Sequence, residues 1–186
     1  FLLANTPGSI PSETISLSFN FSNKILIISS VIFFHLLPFL IDRKFIEEII
    51  YSKKNVILSA GILIINIIFF NYSINYTGGG IFFQVSNLIF DNNFFFYLVT
   101  FFSLSVLICL STYDLNNLLI FITLIVSNIQ NTIYHKYYDP LILILFFTLI
   151  KSPLNLKFFK NKKNIINVFI FYFVFILMRV TKNYFF

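Results

Sequence analysis

The sequence predicts an all-α, polytopic transmembrane bundle, and three observations carry that expectation. Hydrophobic residues make up 58% of the 186 and charged residues 11%, with a mean hydropathy of +0.89, which leaves too little polar surface to clothe a soluble domain of this length. The apolar residues gather into six runs, at about 24–41, 55–71, 94–112, 115–127, 140–150 and 164–180, separated by short connections. The thirteen Lys and Arg are sorted unevenly among those connections. Arg43, Lys44, Lys53 and Lys54 separate the first two runs, and Lys151, Lys157, Lys160, Lys162 and Lys163 separate the last two. The alternate connections hold only Lys136, the tail holds Arg179 and Lys182, and Lys24 sits at a boundary. By the positive-inside rule, nine basic residues against three place the amino terminus, the 72–93 loop, the 128–139 loop and the carboxyl terminus outside the cytoplasm. The expectation is one integral membrane domain over 1–186, in a bacterial inner membrane or the endoplasmic reticulum, with the lipid bilayer as its first partner.

Taken in order, Phe1-Leu2-Leu3-Ala4 reads as the end of an earlier span rather than the tail of a signal peptide, so the chain is expected to be the carboxyl-terminal part of a longer protein. Residues 5–23 form a polar connection, broken by Pro7-Gly8 and Pro11 and followed by Ser12-Glu13-Thr14. The first span contains Pro38, which predicts a kink, and His35. An ionisable group inside a span is a candidate proton relay or ligand by default. With no second His, Asp or Glu in the same span, a packing histidine is the expectation for His35. From Asp42 to Lys54, Phe45, Ile46, Ile49 and Ile50 alternate with Lys44, Glu47 and Glu48 at the spacing of an amphipathic helix on the cytoplasmic interface.

The second span ends at Asn71 and leads into a polar, aromatic stretch closed by Gly78-Gly79-Gly80. Residues 81–90 are apolar, but ten residues reach only about 15 Å, half of the hydrocarbon thickness, so the segment is predicted to be re-entrant or interfacial. Counting it as a span would reverse every later loop and spoil the charge pattern. Ser111-Thr112-Tyr113-Asp114 permits only a tight helical hairpin. Asn116 and Asn117 at one end of the fourth span, and Ser127, Asn128 and Gln130 at the other, are expected to face neighbouring helices, because an unpaired amide in hydrocarbon costs a few kcal/mol. The fifth span is short, and Tyr137 and Tyr138 are expected to extend it into the headgroup layer.

The net charge of +6 does not predict a nucleic-acid partner, because the lysines flank apolar runs, where they anchor spans and meet anionic lipid. Cys109 is alone and within a span, so no disulfide or paired-thiol site arises inside the chain. No Ser/His/Asp arrangement, metal-ligand cluster or pair of catalytic carboxylates is legible, and no cofactor is implied. Asn20, Asn71 and Asn75 open Asn-x-Ser/Thr triplets of the kind that an Asn-rich chain produces by chance.

The densest chemistry lies between Asn128 and Pro140, where a cation, an imidazole, three phenols, a carboxylate and several amides crowd one connection. The candidate substrate-binding residues are Lys136, His135, Tyr134, Tyr137, Gln130 and Asn128. Lys136 is the one basic residue of the outer inter-span loops, and a point charge with rotatable donors among aromatics suits a phosphate or pyrophosphate. The plainer alternative is an aromatic belt with one snorkelling lysine. Gly78-Gly79-Gly80 permits positive φ and close backbone approach, suited to an anion or sugar or simply to a flexible turn. It lacks the strand, lysine and spacing of a nucleotide-binding loop.

The order apolar span, Gln130, Tyr134, His135-Lys136-Tyr137, Pro140, apolar span resembles the carboxyl-terminal end of the dolichyl-phosphoglucose-dependent α-1,2-glucosyltransferases of the glycosyltransferase C superfamily. In that family Pro-Gln precedes an acidic residue, Arg-Tyr and a proline. Here Gln130 and Tyr137 match, Lys136 stands for the Arg, Tyr134 replaces the acid, Ile129 replaces the first proline, and Pro140 is offset by one. The family's upstream loop carries Asp-Asn-Arg-His-Tyr where this chain has Asn75-Tyr76-Thr77-Gly78. The resemblance implies an external active site, a polyprenyl-phosphate sugar donor and inversion at the anomeric carbon. It puts the catalytic acid in a first external loop, upstream of Phe1, and leaves Glu13, Asp91 and Asp139 without that role. The competing expectation is a non-catalytic integral membrane subunit or a transport component. Transport needs a continuous polar path, toward which only His35, Asn66 and Asn117 contribute.

Overall fold

The computed structural model describes residues 20–40, 43–73, 78–128, 130, 132–158 and 162–185. The Pro7 and Pro11 breaks, Glu13, Asp42, Asn75–Thr77, Ile129 and Lys160, which figure in the sequence reading, lie outside the described residues. Regular structure among the described residues is entirely helical. The helices are α1 (Phe21–Leu36), α2 (Arg43–Tyr51), α3 (Lys53–Ile68), α4 (Gly80–Phe90), α5 (Phe94–Tyr113), α6 (Leu115–Val126), α7 (Asp139–Thr148), α8 (Pro153–Phe158) and α9 (Lys162–Phe185).

Length and apolarity sufficient to cross a membrane belong to two of them, α1 with its following turn (Phe21–Phe39) and α5 (Phe94–Tyr113). The runs read as fourth and fifth spans fold into helices of 12 and 10 residues, about 18 and 15 Å long. Pro38 ends α1 rather than kinking it. It cannot donate to the carbonyl four residues back, and the chain tightens into a 3-10 turn over Leu37–Phe39.

α5 is the axis of the bundle and packs against α1, α2, α3, α4 and α6. Small hydroxyl residues let these helices approach closely. Ser103 Oγ donates to the Ser29 carbonyl of α1. Ser105 Oγ donates to Ser59 Oγ of α3 at 2.9 Å, and Ser59 in turn donates to the Val56 carbonyl. Each hydroxyl is thereby satisfied without water, as burial requires. The outward faces of α3, α4, α6 and α9 are apolar instead: Ile57, Leu88, Leu115 and Phe169 are each about 70% exposed.

The connections divide between two ends. At one, Asn71 Oδ1 accepts from Asn20 Nδ2 (2.6 Å) and Asn23 Nδ2 (2.9 Å), tying the start of α1 to the end of α3. At the other, α2 buries Phe45 and Ile49 and leaves Glu47 and Glu48 exposed, the amphipathic helix that the spacing predicts. Glu48 accepts a hydrogen bond from the Tyr113 hydroxyl at the foot of α5. Asp114 follows in an extended conformation and caps α6 by accepting from Asn116 N at 2.8 Å. Its carboxylate also meets Lys151 Nζ at 3.1 Å.

Asn117, fully buried, joins the same end: its Nδ2 donates to the carbonyls of Leu110 (2.7 Å) and Lys151 (2.9 Å), and its Oδ1 accepts from Lys151 N (3.0 Å). The amide thus faces neighbouring elements as expected, whereas Asn116 and Ser127, expected to do the same, are exposed. α4 likewise is no surface helix at its start, since Gly80 abuts Val31, Ser30 and Ile27 on α1, and Phe82 meets Phe33 and Phe34.

Replacing Asn117 by Leu keeps the volume but strands three backbone groups. We predict a loss of about 1–3 kcal/mol, read as a lower unfolding midpoint in detergent, and an unchanged midpoint would show that Asn117 does not tie α6 to α5 and to the connection between α7 and α8. The Asn116 amide and the Lys151 ammonium hold the Asp114 carboxyl below the ordinary carboxylate range. A lowered folded value stabilises the protein above the unfolded value and loses that contribution as pH falls through the folded one. Asp114→Asn should therefore flatten the acid limb of thermal stability below about pH 4 and leave the dependence near neutrality unchanged.

Candidate functional site

The end of α1 and the connection leading into α7 build one buried cluster. His35 occupies the last turn of α1, about 21 Å along the helix from Phe21, and is 1% exposed. His135 reaches the same depth, its ring 5.0 Å from that of His35. Its 3-10 turn, His135–Tyr137, is followed directly by α7. Pro140 is accepted there because the first amides of a helix need no intrahelical acceptor, and Asp139 sits in the first turn, where a carboxylate suits the helix dipole. The four-residue spacing brings His135 and Asp139 onto one face.

The chain's two histidines converge on one carboxylate oxygen. His35 Nε2 lies 3.2 Å and His135 Nε2 lies 3.1 Å from Asp139 Oδ1. The imidazole centroids are 5.0 Å apart. On its far side, His35 Nδ1 is 2.8 Å from the Tyr172 hydroxyl of α9. Phe34 packs its edge against both imidazoles, and Phe175 closes the cluster beside His135. One aspartate oxygen and one nitrogen from each imidazole all fall within 4.8 Å of one another. His35 is enclosed, whereas the Asp139 side chain is 29% exposed and opens the cluster to its surroundings. A carboxylate between two imidazoles can hold a proton, pass one, or ligate a cation.

The structure divides the sequence-predicted residues into two groups. His135 belongs to the buried cluster. Lys136, on the next residue, is exposed, with its ammonium 5.1 Å from the Tyr134 ring and 5.4 Å from the Tyr137 ring. Those rings meet edge to face at 5.6 Å, forming an aromatic cleft around the cation. Asn128 fastens the loop instead: its Nδ2 donates to the Tyr138 hydroxyl at 2.8 Å and its Oδ1 accepts from Gln130 N at 3.1 Å. The Gln130 side chain is exposed. Tyr138 does not reach outward with Tyr137. Successive residues of the turn point apart, and Tyr138 is buried in the core.

The glycine run packs closely against protein. Gly79, at φ +84°, donates its N–H to the Ile133 carbonyl at 2.9 Å, and a Cβ on Gly78 would lie 2.7 Å from that same oxygen. Tyr72 Oη accepts from Ile133 N at 3.3 Å. Close backbone approach is used to dock Gly78 and Gly79 against Ile133.

His35, Asp139 and Tyr172 escape the sequence reading as site residues because their relation is tertiary. A faint signal exists: the chain has only two histidines, one inside a span and one four residues before an aspartate. Comparison with known proteins places the chain in no group: no family model, no curated protein and no solved structure matches it.

Proposed function

We propose that this chain is the membrane-embedded part of a transferase that handles a polyprenyl-phosphate-linked sugar at the end of the bundle where Lys136 lies. The six-span reading, with the 72–93 and 128–139 connections outside the cytoplasm, is part of the proposal. An apolar exterior around hydroxyl-lined helix contacts supports the bilayer as solvent, since a water-soluble protein of this size does not expose contiguous apolar faces on several helices. The partition of the connections supports the topology, because Asp114, Lys151 and α2 gather at one end and the Asn20–Asn71 contact lies at the other.

The observation that carries the transferase reading is the Lys136 ammonium held between two phenol rings beside the opening at Asp139. A cation exposed there, on a loop fastened by Asn128 and Ile133, meets an anionic headgroup without competition from neighbouring lysines among the described residues. Transport is the weaker reading for a stated reason. The buried Ser29, Ser30, Ser59, Thr100, Ser103 and Ser105 hydroxyls are all engaged by carbonyls of their own helix or, for Ser103 and Ser105, by a neighbouring helix, so their protons are not offered to a path.

Lys136→Ala in the full-length protein should lower sugar transfer from a polyprenyl-phosphate donor about tenfold or more, as loss of a charged contact worth about 1.5–3 kcal/mol implies. Undiminished transfer at normal expression rejects the role. Single cysteines at 136 and 54, labelled in intact cells, should react from the exterior and the cytoplasm respectively, and the reverse pattern overturns the orientation.

A further inference from the structure

We infer that His35, His135 and Asp139 form a binding site for a divalent transition-metal ion, of which Zn²⁺ is the class the donors suit best. The inference stands apart from the transferase reading, which rests on the Lys136 ammonium. Two imidazoles and one carboxylate are the three-ligand set that leaves a fourth zinc position open. Mixed nitrogen and oxygen donors, without thiolates, select against copper(I) and against the all-oxygen ions magnesium and calcium.

Distances favour a shared cation. With bonds of about 2.0–2.1 Å to a tetrahedral zinc, ligand atoms stand roughly 3.3 Å apart. The two imidazole nitrogens lie 3.2 and 3.1 Å from Asp139 Oδ1.

The hydrogen bonding of His35 points the same way. Tyr172 at 2.8 Å from His35 Nδ1 fits either an N–H donated to the phenol or a phenol donating to the ring. His35 Nε2 and Asp139 Oδ1 are both buried, stand 3.2 Å apart and make no hydrogen bond to each other. In the tautomer with its proton on Nδ1, held by Tyr172, Nε2 turns a lone pair toward the carboxylate oxygen. Two lone pairs face each other there, and a cation between them converts repulsion into coordination. Tyr172 is then the outer partner that orients a metal-bound histidine. Phe34 and Phe175 exclude water from the imidazoles, while the partly exposed Asp139 gives an entry path.

The test uses the full-length protein in detergent, stripped with chelator and titrated with Zn²⁺ alone. The expected result is one Zn²⁺ per chain with a raised unfolding midpoint, and a tetrahedral ligand-field spectrum when Co²⁺ replaces it. His35→Ala, His135→Gln and Asp139→Asn should each abolish that stoichiometric binding. Tyr172→Phe should keep the stoichiometry and weaken affinity about tenfold to a hundredfold, the usual effect of losing an outer-sphere partner. Failure of the wild-type protein to take up Zn²⁺ overturns the inference whether or not the variants fold. So does stoichiometric binding that survives in a monodisperse His35→Ala variant.

Discussion

A polar group enclosed in this bundle has no water to return to, and most of the structure follows from how each such group is satisfied. The exterior is apolar over wide faces of α3, α4, α6 and α9, so the hydrophobic contrast that sorts a soluble protein is weak here. Specificity of packing falls to hydrogen bonds and small side chains. Serine is the main instrument. Its hydroxyl satisfies itself on the carbonyl three or four residues back, or crosses to a neighbour, and its size lets backbones come close. Ser29 does the first toward Ile25 and Leu26, and Ser103 the second toward Ser29.

The same constraint acts where the described backbone leaves helical form between α3 and α4 and between α6 and α7. There the amides and carbonyls need partners, and Gly79, Tyr72 and Ile133 supply them to one another. Gly79 and Tyr72 bind the two sides of the Ile133 peptide plane region, one at its carbonyl and the other at its amide. Beyond this docking, His135 reaches the depth of His35. A ten-residue α7 thereby begins deep in the bundle, and Asp139 reaches a histidine that no polar group of its own helix could serve.

Function inherits this geometry. The connection between α6 and α7 presents two chemistries on adjacent residues, an exposed cation between phenols at Lys136 and an enclosed imidazole at His135. The tight 3-10 turn sends them in different directions. One suits an anion outside the bundle, the other a cation or proton held within. α9 completes the inner side through Tyr172 and Phe175 and leaves the opposite face of that helix apolar.

Much of the helical layout was legible from residue pattern alone: the amphipathic α2, the short α4, the hairpin at Asp114 and the inward amide of Asn117. These are local consequences of periodicity, length and the cost of an unpaired amide, and neighbouring residues suffice to state them. The loop from Asn128 to Pro140 was likewise marked by its density of polar groups, and there legibility ended. Whether Tyr138 faces in or out, and whether Pro38 bends or stops its helix, depends on a turn of three residues that no period announces. Which partner His35 has is decided by residues a hundred positions away, because α7 starts inside the bundle and α9 folds back over α1. Sequence by itself determined that the chain is helical, apolar outside its connections and polar at chosen points. Only tertiary structure decided which of those points meet, since a buried group takes whatever partner packing brings within three ångströms, and packing joins helices by shape rather than by order along the chain.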